Sequence, residues 1–305
     1  MSAAVPLTLI LVQVLFASLA IAGRYVLPEF PAGLLVTVRV LGAAAVLVVV
    51  NLVRGGPWVT DRRDLTQLAI LGTLGIAANQ SLFLFGLKHT TAINATILVT
   101  TVPVFTVLGS VLLGREPASG WKFAGIALAA LGTIFLIGPD RISLAPDVAF
   151  GNLLIVIGML CYAAYFLLAK PMMGRYDSIT VSTHVMLFAI IGVLPLGLLA
   201  LKGFDLGGVR GPVWGWVAYI VVGPTIFTYL LNIWALKRAS SNMVAIFIYL
   251  QPLLTAAVAP LLLRGESVTA RAIGAACAIF AGLAIVIAAE RRQERQMPEE
   301  LPVGE

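Results

Sequence analysis

The stretch that decides the fold is residues 86–138, which read GLKHTTAINATILVTTVPVFTVLGSVLLGREPASGWKFAGIALAALGTIFLIG. Residues 235–288 repeat this pattern as ALKRASSNMVAIFIYLQPLLTAAVAPLLLRGESVTARAIGAACAIFAGLAIVIA. Pro103 of the first copy aligns with Pro252 of the second, at an offset of 149 residues. An internal repeat of this length indicates how the whole chain is built, because each copy forms one structural unit.

The composition is that of a membrane protein. Hydrophobic residues make up 60% of the 305 residues and charged residues 11%, whereas a soluble domain has about a quarter charged residues. The mean hydropathy is +1.01. The chain contains ten continuously apolar runs of roughly the 20 residues that a transmembrane helix needs. These predicted spans 1 to 10 are residues 4–23, 32–53, 65–87, 93–113, 119–138, 150–170, 179–201, 212–236, 243–263 and 270–289.

Each run is too long and too uniformly apolar for a barrel strand, which alternates apolar and polar residues over about 10 positions. The bilayer offers backbone groups no hydrogen-bond partners, so these spans must be helices. The sequence therefore predicts an all-α integral membrane protein with ten transmembrane helices.

The duplication divides the ten spans into two halves of five. An odd number of spans per half makes the second half enter the membrane from the opposite side, so the two repeats are predicted to be inverted. We expect a first five-helix repeat at 1–140 and a second at 141–289. Residues 290–305 are polar and contain two prolines, and they are predicted to form a disordered cytoplasmic tail.

The distribution of Lys and Arg predicts that both termini face the cytoplasm. With the N-terminus placed inside, most of the 20 Lys and Arg residues fall in cytoplasmic segments, as the positive-inside rule requires. Residues 1–23 end in small residues like a signal peptide, but they lack a basic start and complete the first set of five spans. We therefore expect them to be retained. No basic cluster accompanies stacking aromatics, so the expected partner is the lipid bilayer and not nucleic acid.

Motifs of enzymes and cofactor proteins are absent from the sequence. It contains no H-E-x-x-H, no phosphate-binding loop and no G-x-S-x-G, and only two histidines. Cys161 and Cys277 both lie inside predicted spans, where thiols usually serve packing and not a disulfide or a metal pair. We therefore predict that the protein is not an enzyme and uses no cofactor and no metal.

The two copies share an ordered set of residues that resembles a known family. They are Asn94, Pro103 and Glu116 in the first copy, and Asn242, Pro252 and Glu266 in the second. With the G-R-E-P sequence at 114–117 and a glycine-spaced fifth span, this pattern is similar to the EamA branch of the drug/metabolite transporter superfamily. Within that branch the nearest likeness is to YddG-type amino-acid exporters. The resemblance implies efflux of aromatic and other neutral amino acids across a bacterial inner membrane.

Few ionisable groups lie at membrane depth. All 14 carboxylates fall outside the predicted spans, whereas proton-coupled carriers usually have a titratable group inside. Arg39 lies about seven residues into span 2, roughly 10 Å deep. It could reach the headgroups, bond a neighbouring helix or bind substrate, and the structural roles are favoured. His184 is interpreted as a packing residue in preference to a proton relay. The favoured mechanism is therefore an uncoupled facilitator.

A central cavity between spans 1, 3 and 4 and spans 6, 8 and 9 is the predicted substrate site. The side chains expected to line it are Gln13, Asn79, Thr100, Tyr162, Trp234 and Tyr249. The amides would hold the polar end of the substrate and the aromatic rings its side chain. A second group of candidates is Arg39, His184, Phe83 and Gln251. Pro103 and Pro252 are expected to kink their helices and to act in gating, since a proline frees a backbone carbonyl.

Neutral and partly aromatic lining residues favour small neutral or aromatic amino acids as substrates. The alternative is a broad exporter of drugs or metabolites, which proton coupling could drive. A channel and a non-transporting scaffold are less favoured, because the pseudosymmetry lies inside one chain and the loops are short. The stripes of small residues in spans 5 and 10 serve close packing within the chain, a homodimer face, or both.

Overall fold

The computed structural model describes residues 4–89, 98–115, 118–137, 146–254 and 270–296, and all regular elements in these ranges are helical. The first repeat contains helices Ala4–Val26, Ala32–Val53, Arg62–Gly72, Asn79–His89, Val102–Leu112 and Gly120–Ile137, with a π-helical turn at Thr73–Ala78. The second contains Pro146–Ala169, Met172–Arg175, Ser178–Leu201, Gly211–Val221, Thr228–Arg238, Ser241–Ile246 and Ala270–Gln296, a π-helical turn at Val222–Phe227, and 3₁₀ turns at Leu206–Gly208 and Phe247–Tyr249.

Helices occupy every predicted span, and the all-α class is confirmed over the described ranges. Among the described residues, six helical stretches are long and apolar enough to cross a membrane, in spans 2, 3, 6, 7, 8 and 10. Four shorter apolar helices occupy spans 1, 4, 5 and 9. The count of ten transmembrane helices stays a prediction. Asn94, Glu116 and Glu266 of the shared pattern lie outside the described residues.

The equivalent spans 2 and 7 pack against each other in opposite directions. The Thr37 hydroxyl donates to the carbonyl oxygen of Val193 at 2.8 Å, and the Thr183 hydroxyl donates to the carbonyl oxygen of Leu47 at 3.3 Å. Residue numbers therefore rise along one helix as they fall along the other. Two equivalent helices that run antiparallel are related by an axis perpendicular to both, as inverted repeats require.

Spans 5 and 10 form a second antiparallel pair of equivalent helices. Gly125 packs against the backbone of Gly282, and Gly132 packs against Ala278. A side chain at Gly125 would place its Cβ 2.7 Å from the carbonyl oxygen of Gly282, so only glycine allows this approach. The small-residue stripes thus face each other within one chain. A homodimer face remains a prediction.

Spans 3 and 6 pack together in the same way as their equivalents, spans 8 and 1. Asn79 donates to the carbonyl oxygen of Gly158 at 2.9 Å in the first pair, and the hydroxyls of Ser18 and Tyr219 are 2.7 Å apart in the second. Each pair joins one helix of the first repeat to one of the second. These two pairs bring spans 1, 3, 6 and 8, four of the six spans predicted to enclose the site, into the interface between the repeats.

The helices depart from regular geometry at equivalent places in both repeats. The π-helical turns at Thr73–Ala78 and Val222–Phe227 are separated by the 149-residue offset. A turn at 100–101 precedes Pro103, and the 3₁₀ turn Phe247–Tyr249 precedes Pro252. Prolines lack the N–H that would continue the ladder, and an irregular turn precedes each of these two residues. π-turns inside helices are frequent at functional sites.

The last helix is longer than the sequence predicted. It continues to Gln296, so 290–296 are helical where a disordered tail was expected. Glu290 is buried and pairs with Lys122 at 2.5 Å, and it also accepts a hydrogen bond from Ser240. These contacts hold the added turn against the bundle. Residues 297–305 lie outside the described ranges.

Candidate substrate site at the interface of the repeats

A pair of equivalent residues meets at the centre of the bundle. The Gln80 side-chain amide donates to the Tyr229 hydroxyl at 2.7 Å, and the two residues are 149 positions apart. Residues related by a two-fold axis can touch only near that axis, so this contact marks where the pseudo-two-fold passes. Each residue lies in the helical turn that directly follows a π-helical turn. The irregular backbone therefore positions both side chains.

Arg39 joins the two repeats beside this contact. Its Nε donates to the Thr225 hydroxyl at 3.0 Å and its Nη1 donates to the Gln80 side-chain oxygen at 2.9 Å. Thr225 in turn donates to the carbonyl oxygen of Ile220 at 2.7 Å. The arginine is 5% exposed, so it does not extend to the headgroups. The structure shows the contact with neighbouring helices that was one of the alternatives.

The Arg39 charge is surrounded by neutral groups in the described part of the chain. Both of its hydrogen-bond acceptors are uncharged, and Nη2 is buried with no partner among the described residues. The described ion pairs of the inter-repeat interface involve other residues at the ends of the helices. Burying a cation without a counter-charge is costly. A buried guanidinium with an unused N–H edge is therefore a strong anion-binding feature.

Two of the predicted site residues bond each other across the repeats. Gln251 donates to the side-chain oxygen of Gln13 at 2.7 Å, which connects span 9 to span 1. Gln251 directly precedes Pro252, so its position depends on the irregular segment of span 9. Asn79 is used differently, since it bonds the backbone of Gly158 between spans 3 and 6. Thr100 is buried in the turn before Pro103.

Aromatic side chains form a cluster on span 6. Tyr162 stacks on Tyr165 with ring centroids 5.9 Å apart and contacts Phe166 at 4.6 Å. The hydroxyls of Tyr162 and Tyr249 and the amide of Asn232 are buried without hydrogen-bond partners among the described residues. Buried polar groups normally have partners, either protein or water. These three side chains are therefore available to a ligand or to water.

Trp234 and Phe83 lie in surroundings that differ from the central contact. The Arg238 guanidinium sits over the Trp234 ring at 4.0 Å and donates to its backbone carbonyl. This places Trp234 in the last turn of span 8, about 7.5 Å along the helix from Tyr229. Phe83 packs half-buried against the main core.

His184 is held by the loop before span 3. Its Nε2 accepts a hydrogen bond from the backbone N–H of Val59 at 3.3 Å, and its Nδ1 lies 2.8 Å from the carbonyl oxygen of Thr180. The ring also packs edge-on against Trp58. Both nitrogens are therefore occupied, which is the geometry of a packing residue.

The centre of the molecule is closed in this structure. The expected lining residues other than Trp234 are at most 9% exposed. A crevice between spans 2, 3 and 7 holds about 20 Å³ of free space, enough for a single water molecule. Its wall includes Val36, one turn before Arg39, and Ser81, which follows Gln80.

An ion pair joins the repeats at the end predicted to face outward. The Nε of Arg210 donates to a carboxylate oxygen of Glu29 at 2.6 Å. This hydrogen bond lowers the pKa of Glu29. Tyr25 stacks on Trp216 nearby, with centroids 5.0 Å apart. Aromatic residues at this level are typical of the membrane interface.

A second inter-repeat ion pair closes the opposite end. Arg54 pairs with Asp177 at 2.7 Å and also donates to the Thr180 hydroxyl. Burial acts to raise the pKa of Asp177, but the hydrogen bonds from Arg54 and Thr180 outweigh it and hold the pKa well below its usual value. Arg175 forms a further ion pair between the repeats at this end, with Asp64.

Comparison with known proteins identifies the family. The model of the EamA-like transporter family matches residues 4–138 and again residues 149–288. The chain belongs to the EamA-like transporter family. It is thus a membrane transporter of the EamA type, and the resemblance drawn from the repeated residues is confirmed. The double match corresponds to the two packed halves of the structure.

Individual relatives agree with this assignment. The chain is 25% identical over 292 residues to the uncharacterized transporter YetK of Bacillus subtilis, covering 94% of this chain and 86% of YetK. It is 26% identical over 195 residues to a probable terminal-alkyne amino-acid exporter of Streptantibioticus cattleyicolor, covering 62% of each chain. A solved crystal structure superposes with a TM-score of 0.78 over 96% of this chain and 100% of the other, at 20% identity, which supports the fold alone.

Four polar residues of the centre were not among the predicted site residues: Gln80, Thr225, Tyr229 and Asn232. Gln80 and Tyr229 could have been found from the sequence, because they are polar, lie inside spans and are 149 positions apart. Thr225 carried no such signal, since its equivalent is Ile76. Its role depends on the π-helical turn that turns its hydroxyl toward Arg39.

Proposed function

We propose that this transporter exports small neutral and aromatic amino acids, or related metabolites, across a bacterial inner membrane. The observation that carries the proposal is the buried polar contact of Arg39, Gln80 and Tyr229 at the interface of the repeats, together with the aromatic cluster of span 6. The first group suits the charged end of a zwitterion and the second suits an apolar side chain. The Streptantibioticus relative, described as an amino-acid exporter, supports this substrate class.

Alternating access accounts for the two sets of ion pairs. Glu29–Arg210 and Arg54–Asp177 each join the first repeat to the second, and they lie at opposite ends of the helices. Opening one end would separate the contacts at that end, while those at the other end keep the opposite side closed. The ten spans would form two inverted repeats with both termini in the cytoplasm, and the closed structure is the occluded state of this cycle.

Transport is proposed to run down the substrate gradient without protons. Arg39 does not lose its proton in proteins, and both nitrogens of His184 are occupied by packing contacts. One observation favours the alternative of a proton-coupled exporter of drugs or metabolites. Glu290 is a buried carboxylate that pairs with Lys122 between spans 5 and 10, and such pairs can serve as proton carriers.

Counterflow in liposomes tests the proposal. Liposomes that contain the purified protein are loaded with unlabelled phenylalanine or leucine. Uptake of the labelled amino acid is then followed with and without a pH gradient. We expect uptake above protein-free liposomes that does not depend on the gradient, in the wild type and in Glu290→Gln. Drug flux without amino-acid flux would contradict the substrate class. Uptake that requires the gradient and is lost in Glu290→Gln would establish the coupled alternative.

A further inference from the structure

We infer that Arg39 receives the carboxylate of the transported molecule, so that the substrate class is small molecules with one free carboxylate group. The inference rests on the proposed transport function. It specifies which chemical group of the substrate is recognised and which residue binds it. Amines, amides and esters of the same carbon skeleton are expected to bind poorly.

The hydrogen-bond pattern of Arg39 leaves one edge of the guanidinium unused. Arginine has five N–H groups in a planar fork. In the described part of the chain, one N–H on Nε and one on Nη1 have acceptors, and Nη2 has none although it is buried. Three N–H groups remain, two of them on Nη2 and one on Nη1. A guanidinium with free N–H groups can bind the two oxygens of a carboxylate.

The contacts of Arg39 fix its orientation without neutralising its charge. Thr225 and Gln80 are both neutral and come from different repeats. Gln80 is itself held by Tyr229, so the fork cannot turn freely. A structural arginine would be expected to have a carboxylate or several carbonyl oxygens around it. Here the fixed orientation and the incomplete neutralisation both favour an incoming anion.

The second repeat has no equivalent cation. The helices of spans 2 and 7 begin at Ala32 and Ser178 and end at Val53 and Leu201. The first residues of the two helices are 146 positions apart and their last residues are 148 positions apart. The position equivalent to Arg39 therefore lies within residues 185–187, which are Val, Met and Leu. The pseudosymmetric site therefore has one basic side and one apolar side. A single monocarboxylate fits such a site better than a dicarboxylate, which would need a second cation.

A small crevice lies beside residues that neighbour Arg39 and Gln80. The crevice between spans 2, 3 and 7 includes Val36, one turn from Arg39, and Ser81, the neighbour of Gln80. The Ser81 hydroxyl is buried without a partner among the described residues. Widening this crevice when the outer ion pair separates would bring a carboxylate to the unused edge of the guanidinium.

Competition between matched ligands tests the inference. Counterflow of labelled phenylalanine is inhibited by unlabelled phenylalanine or by phenylalaninamide, which differ only at the carboxyl group. In the wild type we expect the amide to compete at least about tenfold more weakly, because a charge-assisted bidentate contact is lost. In Arg39→Gln this ratio should fall to within about twofold. Arg63→Gln removes a charge from the exposed cytoplasmic side and should keep the wild-type ratio.

A binding measurement separates this inference from the proposed function. Thermal unfolding of the detergent-purified wild type is followed with phenylalanine, 3-phenylpropionate or phenylalaninamide, which requires no transport. We expect both carboxylates to raise the Tm and the amide to leave it unchanged, and Arg39→Gln to lose the response. An unchanged acid-to-amide ratio in Arg39→Gln, or equal stabilisation of the wild type by acid and amide, would overturn the role of Arg39. Carboxylate-dependent stabilisation without amino-acid flux would overturn the proposed function alone.

Discussion

Single buried side chains in this protein differ in whether their hydrogen bonds are complete. His184 has a partner on each nitrogen, whereas Tyr162, Asn232 and Tyr249 have polar atoms without partners among the described residues. A complete set indicates a structural role, because nothing is left to bind a ligand. An incomplete set in a buried position has a cost that a ligand or water can offset.

His184→Ala is expected to lower stability without changing how transport depends on pH. The substitution leaves the Val59 N–H and the Thr180 carbonyl without their side-chain partner, which costs roughly 1–3 kcal/mol. Thermal unfolding in detergent should show the lower Tm, while counterflow at a fixed pH should be retained. A variant that folds normally but loses a pH-gradient response present in the wild type would contradict the packing role.

The Lys122–Glu290 pair gives a second prediction for single residues. Each side chain is almost fully buried. Lys122→Met alone would leave the carboxylate unpaired and should cost about 3–5 kcal/mol. The double variant Lys122→Met/Glu290→Leu should recover most of that loss, since apolar residues of similar volume can replace a buried pair. Urea or thermal unfolding of the single and double variants measures the difference, and equal losses in both would contradict the pairing.

At the scale of helices, the π-helical turns decide which side chains reach the interface. Each one precedes the turn that carries Gln80 or Tyr229. Within the π-helical turn of span 3, Gly75 lets the Tyr165 ring lie against the backbone, where a Cβ would overlap it. The two irregular helices and the aromatic cluster of span 6 therefore form one packed unit.

Gly75→Ala should damage this unit, and Gly215→Ala should not. A methyl group at Gly75 forces the buried Tyr165 ring to move, at a cost of about 1–3 kcal/mol. Gly215 lies in the helix Gly211–Val221, and a Cβ added there would meet no described atom within 4 Å, so alanine should be neutral or slightly stabilising. Thermal unfolding and counterflow of both variants provide the comparison. Equal behaviour of the two would show that the contact with Tyr165 is unimportant.

Part of this arrangement could be predicted from the sequence, and part of it could not. The apolar runs and the 149-residue offset are local signals, so the helices and the pairing of halves were predictable. Contacts between repeats depend on how each helix is rotated, which a π-helical turn changes. This is why Thr225 was missed, whereas the contact of Arg238 with Trp234, four residues earlier on the same helix, could have been recognised from the spacing. The burial of Glu290 depends on Lys122 from the other repeat.

At the scale of the whole molecule, the ion pairs at the two ends determine the pH range over which the closed contacts are stable. The pKa values of Glu29 and Asp177 are both lowered in the folded protein, from ordinary values of 4.5 and 3.8. A lowered carboxylate pKa stabilises the closed contact above the ordinary value, and this stabilisation is lost only as the pH falls through the lowered pKa. Between about pH 5.5 and 8 both carboxylates therefore stay charged, and the counterflow rate should be flat unless another group titrates.

Breaking one end pair should expose the centre from one side only. The background for this test is a variant in which Cys161 and Cys277 are changed to serine and Val36→Cys is introduced as the labelling site. Adding Arg210→Gln to this variant is expected to increase the labelling of position 36 by a membrane-impermeant maleimide from outside. Val36 is 1% exposed in the closed structure, so little labelling is expected without that change. Arg54→Gln is the matched control at the opposite end and should not increase labelling from outside. Equal labelling of the two variants would contradict separate closures.

Reporter fusions test the inverted arrangement of the repeats. Fusions after Lys88 and after Lys237 end at equivalent positions of the two copies. We expect a periplasmic reporter to be active only after Lys88 and a cytoplasmic reporter only after Lys237. Activity of the same reporter at both positions would mean that the repeats run parallel.

The contact between Gln80 and Tyr229 has a consequence for how such a protein could arise. In an ancestor made of two identical five-helix chains, both positions would hold the same amino acid, which would have to bond its own copy. An arginine at position 39 would likewise occur twice and bury two like charges around one centre. Fusion of the copies into one gene would remove that constraint. Each half could then change alone, so that one half could keep the cation while the other became apolar, which would give a symmetric scaffold an asymmetric centre.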